Sequence, residues 1–293
     1  MKNICIIGAG KVAYSLTKAL IDAKYNIGCI YSRRIESAEK LAGRFGIRTF
    51  TSEISEIPGS PAIYFLTVPD GEIKNAAESL SKARLNFRES LFVHLSGAQD
   101  ISLLKSLEEK KASVASFHIM QTFPSDETVE LKDHYAAVET NQDTAENILN
   151  EVASDLQLKA FRISSDKKVF YHLTGVWASN FIVANLYNAL TAFENACISE
   201  VTFQDISVPI IESTLSNIAK DGIAGALSGP AARGEVETIK KHIDALSSSG
   251  GNLLLSYISN SLTLLNMLKK TRGELTDQQS EILAYLKEKA AAH

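Results

Sequence analysis

Two groups of residues in this chain have types and spacings suited to chemistry. The first is Gly8-Ala9-Gly10-Lys11-Val12-Ala13, a G-x-G-x-x-A run. It follows a short apolar stretch, Asn3–Ile7, and opens a helical pattern, which is the context a dinucleotide site requires. Gly8 permits a tight turn, and Gly10 lets a pyrophosphate approach the backbone at the positive end of a helix. Small Ala13 lets that helix sit close to its strand. The second group lies on a helical pattern near Lys168–Phe193. At about 100° per residue, Lys168, His172 and Ser179 share an arc of roughly 40°, and Asn180 lies about 80° from His172. A polar stripe on an otherwise apolar helix suits a cleft. There His172 can donate a proton, Asn180 can bond a reacting oxygen or a carboxamide, and Lys168 can polarise a carbonyl or bind a carboxylate.

Three strand ends point to the same crevice. The second strand ends in Tyr31-Ser32-Arg33-Arg34, where NAD sites usually place a carboxylate for the ribose hydroxyls. A hydroxyl and two guanidiniums suit a 2′-phosphate, so the predicted cofactor is NADP(H) rather than NAD. The fourth strand ends in Thr67-Val68-Pro69-Asp70. Val68 and Pro69 can pack on the nicotinamide ribose, and Asp70 can cap the next helix. The fifth ends in His94-Leu95-Ser96-Gly97. His94 falls within the strand, so Ser96 is the residue expected to face the cleft. His118 is placed at the end of the sixth strand, either lining the cleft or holding the loop after it. In the C-terminal part, Gly229-Pro230-Ala231-Ala232-Arg233-Gly234-Glu235 is a rigid loop with one cation, Arg233, suited to a substrate carboxylate or phosphate. Thr238 and His242 come next, at i, i+4.

The elements that must hold these residues alternate strand and helix up to about residue 165. Near-continuous apolar runs such as Ala62–Thr67 and Leu91–Leu95 read as parallel strands covered on both faces. The helical stretches expected between strands include Glu72–Ser81 and Asp100–Lys111. After Ser165 every long segment has helical spacing, broken at Gly229-Pro230, Gly234, Gly250-Gly251 and Gly273. Thr276 and Gln279 form a capping-box pattern. The predicted architecture is α/β: a Rossmann-type doubly wound, mainly parallel sheet over residues 1–165, then an all-helical domain over 166–293.

Composition narrows the class. The chain has 293 residues, 45% hydrophobic, with 30 basic against 34 acidic side chains. That balance argues against a chain-wide basic surface for nucleic acid. Cys5, Cys29 and Cys197 lie far apart and form no zinc pattern, so they read as reduced thiols in a cytoplasmic protein with no metal site. No targeting segment is evident at the start. Val169–Phe193 carries no Asp, Glu, Lys or Arg, but His172, Asn180, Asn185 and Asn188 make it a buried helix rather than a membrane span. The apolar helix Asn252–Lys270 predicts a homodimer through the helical domain.

In order along the chain, GAGKVA, YSRR, TVPD, HLSG, FHIMQTFP, YHLTGVWASNF and GPAARGEVETIKKHIDAL resemble the Rossmann-like family that carries a C-terminal domain of unknown function 2520. Its members are described as NADP oxidoreductases, with a layout similar to pyrroline-5-carboxylate reductase, ketopantoate reductase and deazaflavin-dependent NADP reductase. The resemblance implies an N-terminal NADP-binding domain and a helical domain that completes the active site and often dimerises. The expected function is hydride transfer between NADP(H) and a small polar carbonyl, hydroxy acid or imine. The substrate is expected between Pro69, Ser96 and the helix bearing His172 and Asn180. The competing readings are an imine reductase of the pyrroline-5-carboxylate reductase type and a non-catalytic NADP(H) sensor.

Overall fold

The computed structural model describes residues 3–247 and 252–291; the breaker Gly250-Gly251 lies outside them. The chain divides into two compact units, 1–182 and 183–293. The change of pattern at 165 precedes that division because the first C-terminal helix belongs to the first unit.

The first unit is built on eight strands: β1 (Asn3–Ile7), β2 (Asn26–Tyr31), β3 (Phe50–Thr51), β4 (Ile63–Leu66), β5 (Leu91–His94), β6 (Ser113–Ile119), β7 (Tyr135–Glu139) and β8 (Lys159–Arg162). Their order in the sheet is β3-β2-β1-β4-β5-β6-β7-β8. The first six strands take the doubly wound dinucleotide-binding order and are parallel. Register aligns their ends, with Tyr31 beside Ile7, Ile7 beside Leu66, Leu66 beside His94 and His94 beside Ser116. The β6–β7 pair alone is antiparallel, and β7–β8 is parallel again.

Alternation along the buried strands supplies two cores, one on each face of the sheet. Ile4, Ile6, Ile63 and Phe65 point to one; Cys5, Ile7, Tyr64 and Leu66 point to the other. Phe65, Phe92 and Phe117 are fully buried, and each such side chain stabilises the fold by about 2–3 kcal/mol. The covering helices are α1 (Lys11–Asp22), α2 (Ile35–Phe45), α3 (Ile73–Leu80), the short α4 (Lys105–Glu108), α5 (Asp143–Asp155) and α6 (Ser165–Gly175). On α1 the buried Ala13, Leu16, Thr17 and Leu20 have the spacing of one helix face. The helix expected over 100–111 is divided into a 3-10 turn, Ile101–Leu104, and α4, because the Asp100 side chain accepts from Ser102 N at 2.8 Å and starts a tight turn.

The segment between β6 and β7 leaves and re-enters the sheet at one edge. Val129 N donates to Ser15 Oγ of α1 at 3.0 Å, and Lys40 and Arg44 of α2 pair with Asp126 and Glu127.

A π turn, Val176–Asn180, comes after α6 and leads into α7 (Phe181–Asn195). The second unit continues with α8 (Phe203–Gly225), α9 (Pro230–Arg233), α10 (Val236–Ser247), α11 (Leu253–Arg272) and α12 (Asp277–Ala291). Its core joins Ile239 and Ile243 of α10, Leu254, Ile258, Leu265 and Leu268 of α11, and Ile282 and Leu286 of α12. The Thr276/Gln279 capping box is present, with Gln279 N donating to Thr276 Oγ1 and Thr276 N to Gln279 Oε1. The expected burial of Val169–Phe193 is not met in the single chain. Phe170 is 77% and Trp177 63% exposed, and α7 has no buried residue. Among the described residues, no helix is long and apolar enough to cross a membrane.

Candidate functional site

The first half of the site is a groove of about 560 Å³ at the C-terminal ends of β1, β2 and β4. Gly8, Ala9 and Gly10 form its floor, Ser32, Arg33 and Arg34 one side, and Thr67, Val68 and Pro69 the other. Gly8 has φ +106°, and a Cβ there would meet Val68 Cγ1 at 2.9 Å and Thr67 O at 3.0 Å. Its amide donates to Tyr31 O at 2.7 Å, and its carbonyl accepts from Thr67 Oγ1 at 2.7 Å. The turn is thereby tied to the strands on both sides of β1. Gly10 precedes α1 with no side-chain cap, Lys11 is exposed beside it, and Ala13 is fully buried against the sheet. A turn too tight for a side chain at Gly8, leading into an uncapped helix N-terminus, fits a dinucleotide pyrophosphate. These are the residues that would hold it.

At the β2 end, Ser32 is half-buried and Arg33 and Arg34 are exposed. Arg33 Nη1 lies 2.7 Å from Glu72 Oε2, and both residues line the groove. Arg34 precedes α2 and has no ion pair among the described residues.

A smaller cleft of about 170 Å³ shares Thr67 and Val68 with the groove and is further lined by Val12, Ser96, His118 and Gln121. Ser96 faces it as expected, but its proton goes to Asp70 Oδ2 at 2.6 Å while its oxygen accepts from Ala98 N and Gln99 N. With its single proton engaged, this hydroxyl shapes the turn. Asp70 therefore does not cap α3, which has no side-chain cap. His94 is fully buried, as its place in the strand predicts. Its Nδ1 accepts from Ser96 N at 3.2 Å, and its Nε2 has no hydrogen-bond partner. Burial, helped by the Lys168 charge, pushes its pKa down to about 3.

His118 lies within β6, which extends one residue beyond it. Its Nδ1 is 3.3 Å from Tyr171 Oη, and its ring meets Tyr171 and His172 edge-on, at centroid distances of 5.4 and 5.8 Å. A Cβ at Gly97 would stand 2.6 Å from His118 Nε2 and 2.7 Å from His172 Nδ1, so two imidazole nitrogens bracket one point that only glycine leaves open. Burial, then the His172 and Lys168 charges, push His118 down to about 4; burial pushes Tyr171 up to about 12.

Lys168, expected on the same polar stripe, is instead 1% exposed and turned into the protein. Its Nζ bonds Ser116 Oγ at 2.6 Å and Glu139 Oε2 at 2.9 Å. Glu139 also accepts from Ser165 Oγ and Ile101 N. Burial lowers the Lys168 pKa, and Glu139 opposes the shift. Ser116 and His118 occupy the same face of β6, two residues apart. Lys168 and Tyr171/His172 occupy one face of α6, three and four residues apart. The buried ion pair is one rung of this match, and the His118–Tyr171–His172 cluster is the next.

Ser179 and Asn180 leave the stripe. Both stand inside the π turn Val176–Asn180, where the rotation per residue differs from the uniform α spacing on which the stripe was drawn. Asn180 is exposed. Arg233 belongs to the second unit, ends α9, and pairs with its neighbour Glu235 at 2.6 Å. His242 Nδ1 meets Tyr257 Oη at 2.8 Å. Sequence reasoning missed Tyr171, Gly97 and Glu139. The i, i+2 pair Ser116/His118 set against an i, i+3, i+4 helix triplet was the available signal.

Residues 3–93 match the family described as NADP oxidoreductase, coenzyme F420-dependent, and residues 134–262 match domain of unknown function 2520. No curated protein matches the chain. Among solved structures, the chain is similar to BF3122 of Bacteroides fragilis, assigned as an NADP oxidoreductase. The identity is 24% and the TM-score 0.77, over 90% of this chain and 97% of that one. It is also similar to protein TM1727 of Thermotoga maritima (26%, TM-score 0.69, 92% and 99%) and to a pyrroline-5-carboxylate reductase of Coxiella burnetii (18%, TM-score 0.58, 92% and 98%). The likenesses to the Bacteroides and Coxiella structures show a shared fold, and the family matches support an NAD(P)-dependent oxidoreductase. The N-terminal part of the chain thus matches a model of the NADP oxidoreductase type, and its C-terminal part matches the model of the domain of unknown function 2520.

Proposed function

We propose that the protein is an NADP(H)-dependent oxidoreductase that exchanges a hydride with a small polar carbonyl, hydroxy acid or imine. The observation that carries this reading is that the two cavities adjoin. The groove flanked by Ser32, Arg33 and Arg34 shares Thr67 and Val68 with the cleft beneath His118. A dinucleotide with its 2′-phosphate at the arginines and its pyrophosphate over Gly8–Gly10 directs its nicotinamide toward that cleft.

The bound nicotinamide supplies or accepts the hydride. The chain's part is to hold the reacting oxygen or nitrogen and to manage its proton. Tyr171 Oη donating to His118 Nδ1 leaves the ring proton on Nε2, the nitrogen turned toward Gly97 and His172. His118 is neutral near pH 7, so it acts as a hydrogen-bond donor that polarises the substrate. His172, half-buried, exchanges the proton with solvent. Lys168 anchors α6, and Arg233 and Asn180 remain substrate-contact candidates.

A homodimer in the cytoplasm belongs to the same reading. Its support lies mainly on α8: Leu254, Ile258, Leu265 and Leu268 of α11 fill the second unit's own core and leave Leu255 exposed, whereas Ile206, Val208, Ile210 and Leu215 of α8 are all exposed.

The test is titration of the purified protein with NADPH and NADH, repeated on Arg33→Ala/Arg34→Ala. Tighter NADPH binding that is lost in the variant supports the reading and directs a screen of keto acids and imines. Equal or absent binding overturns the NADP assignment. Tight NADPH binding with no turnover over that screen favours a sensor.

A further inference from the structure

Arg33 lies just past β2, Glu72 closes the 3-10 turn that follows β4, and these two strands are not neighbours. β2 and β4 stand on either side of β1, each step about 4.8 Å. The 2.7 Å contact between Arg33 Nη1 and Glu72 Oε2 therefore bridges segments that follow strands on opposite sides of β1. Both side chains line the outer groove. We infer that Glu72 is an intramolecular competitor for the cofactor's 2′-phosphate, holding Arg33 across the groove until a phosphate displaces it.

The charges and geometry support displacement over coexistence. The pair is a single contact between side chains 71% and 33% exposed, a class worth at most about 1 kcal/mol. A phosphate brings about two negative charges and takes a guanidinium bidentately. It cannot share Arg33 with a carboxylate at that distance without repulsion. The displaced Glu72 has somewhere to go, because it directly precedes α3, whose N-terminal end favours negative charge. Arg34 is not engaged by a carboxylate among the described residues and stands ready for first contact. A nucleotide with a bare 2′-hydroxyl presents no charge for Glu72 to oppose. Glu72 thus lowers NADPH affinity selectively and speeds its release.

This inference rests on the NADP reading, and the test separates the two. Wild type, Glu72→Gln, Arg33→Ala and the double variant are titrated with NADPH, NADH and 2′,5′-ADP. Glu72→Gln is expected to tighten NADPH and 2′,5′-ADP by about three- to five-fold, with NADH unchanged within about two-fold. The gain should vanish in the Arg33→Ala background, and NADPH release from Glu72→Gln should be slower in stopped flow. Weaker binding of all three ligands to Glu72→Gln makes Glu72 a ribose contact and overturns the inference. No change for any ligand shows the pair to be idle and overturns it too. Equal affinity of the wild type for NADPH and NADH overturns the cofactor reading, and the competition with it.

Discussion

Lys168 Nζ lies 2.9 Å from Glu139 Oε2, and the two side chains are 1% and 4% exposed. This pair joins α6 to β7 beneath the His118 cluster. Removing one partner leaves the other charge buried and uncompensated, at a cost of about 3–5 kcal/mol. Lys168→Met should lower unfolding free energy by that order in urea titration. Lys168→Met/Glu139→Gln should recover part of the loss. Additive losses would mean that the two groups are not coupled.

Gly97→Ala places a methyl group against His118 Nε2 and His172 Nδ1. The imidazoles must move, at a cost of about 1–3 kcal/mol, while the nucleotide groove is untouched. NADPH affinity should stay within about two-fold, and turnover of any substrate found should fall by at least about ten-fold. Unchanged turnover would remove the two histidines from the reaction.

Acid should destabilise the protein through its buried histidines. His118 and His94 have pKa values pushed down from 6.5 to about 4 and about 3. Between those values and 6.5 the unfolded chain binds more protons than the folded one, so stability is full above about pH 6.5 and falls as pH drops toward 4. The His118 share is about 3 kcal/mol at most. Thermal unfolding of His118→Asn against the wild type from pH 7 to 4 should show a shallower loss in the variant.

The exposed apolar residues of α8 should be covered in solution. Sedimentation is expected to give twice the mass of the chain, and Ile210→Glu/Leu215→Glu should shift it toward the monomer. A monomeric wild type at micromolar concentration would remove the dimer.

Much of the sheet was legible because each parallel strand is covered on both faces and so reads as an unbroken apolar run. Gly8, Gly10 and Ala13 were legible for a different reason: they answer to steric limits that sequence displays directly. The fate of Lys168 was hidden, since its partner Glu139 lies on a strand whose antiparallel pairing has no sequence mark. Periodicity grouped Lys168 with His172 correctly as one face of α6, yet could not say that the face turns inward at one turn and toward His118 at the next. Asn180 stands in a π turn, a departure from uniform helical spacing that the sequence does not mark. The engagement of Ser96 by Asp70 joins two strand ends, a relation that propensity does not encode.

The reversed direction of β7 has a mechanical consequence. The segment after β6 stays at the sheet edge where the strands end, carrying Gln121 and Phe123 along the inner cleft before Asp126, Glu127 and Val129 fasten it to α2 and α1. Helix α1 begins at the glycine floor of the outer groove. One strip of chain is thus riveted both to a wall of the cleft and to the helix beneath the nucleotide site. Through Ser15 and Val129 the glycine turn and that wall have α1 as a common support, so the two cavities are built on shared parts.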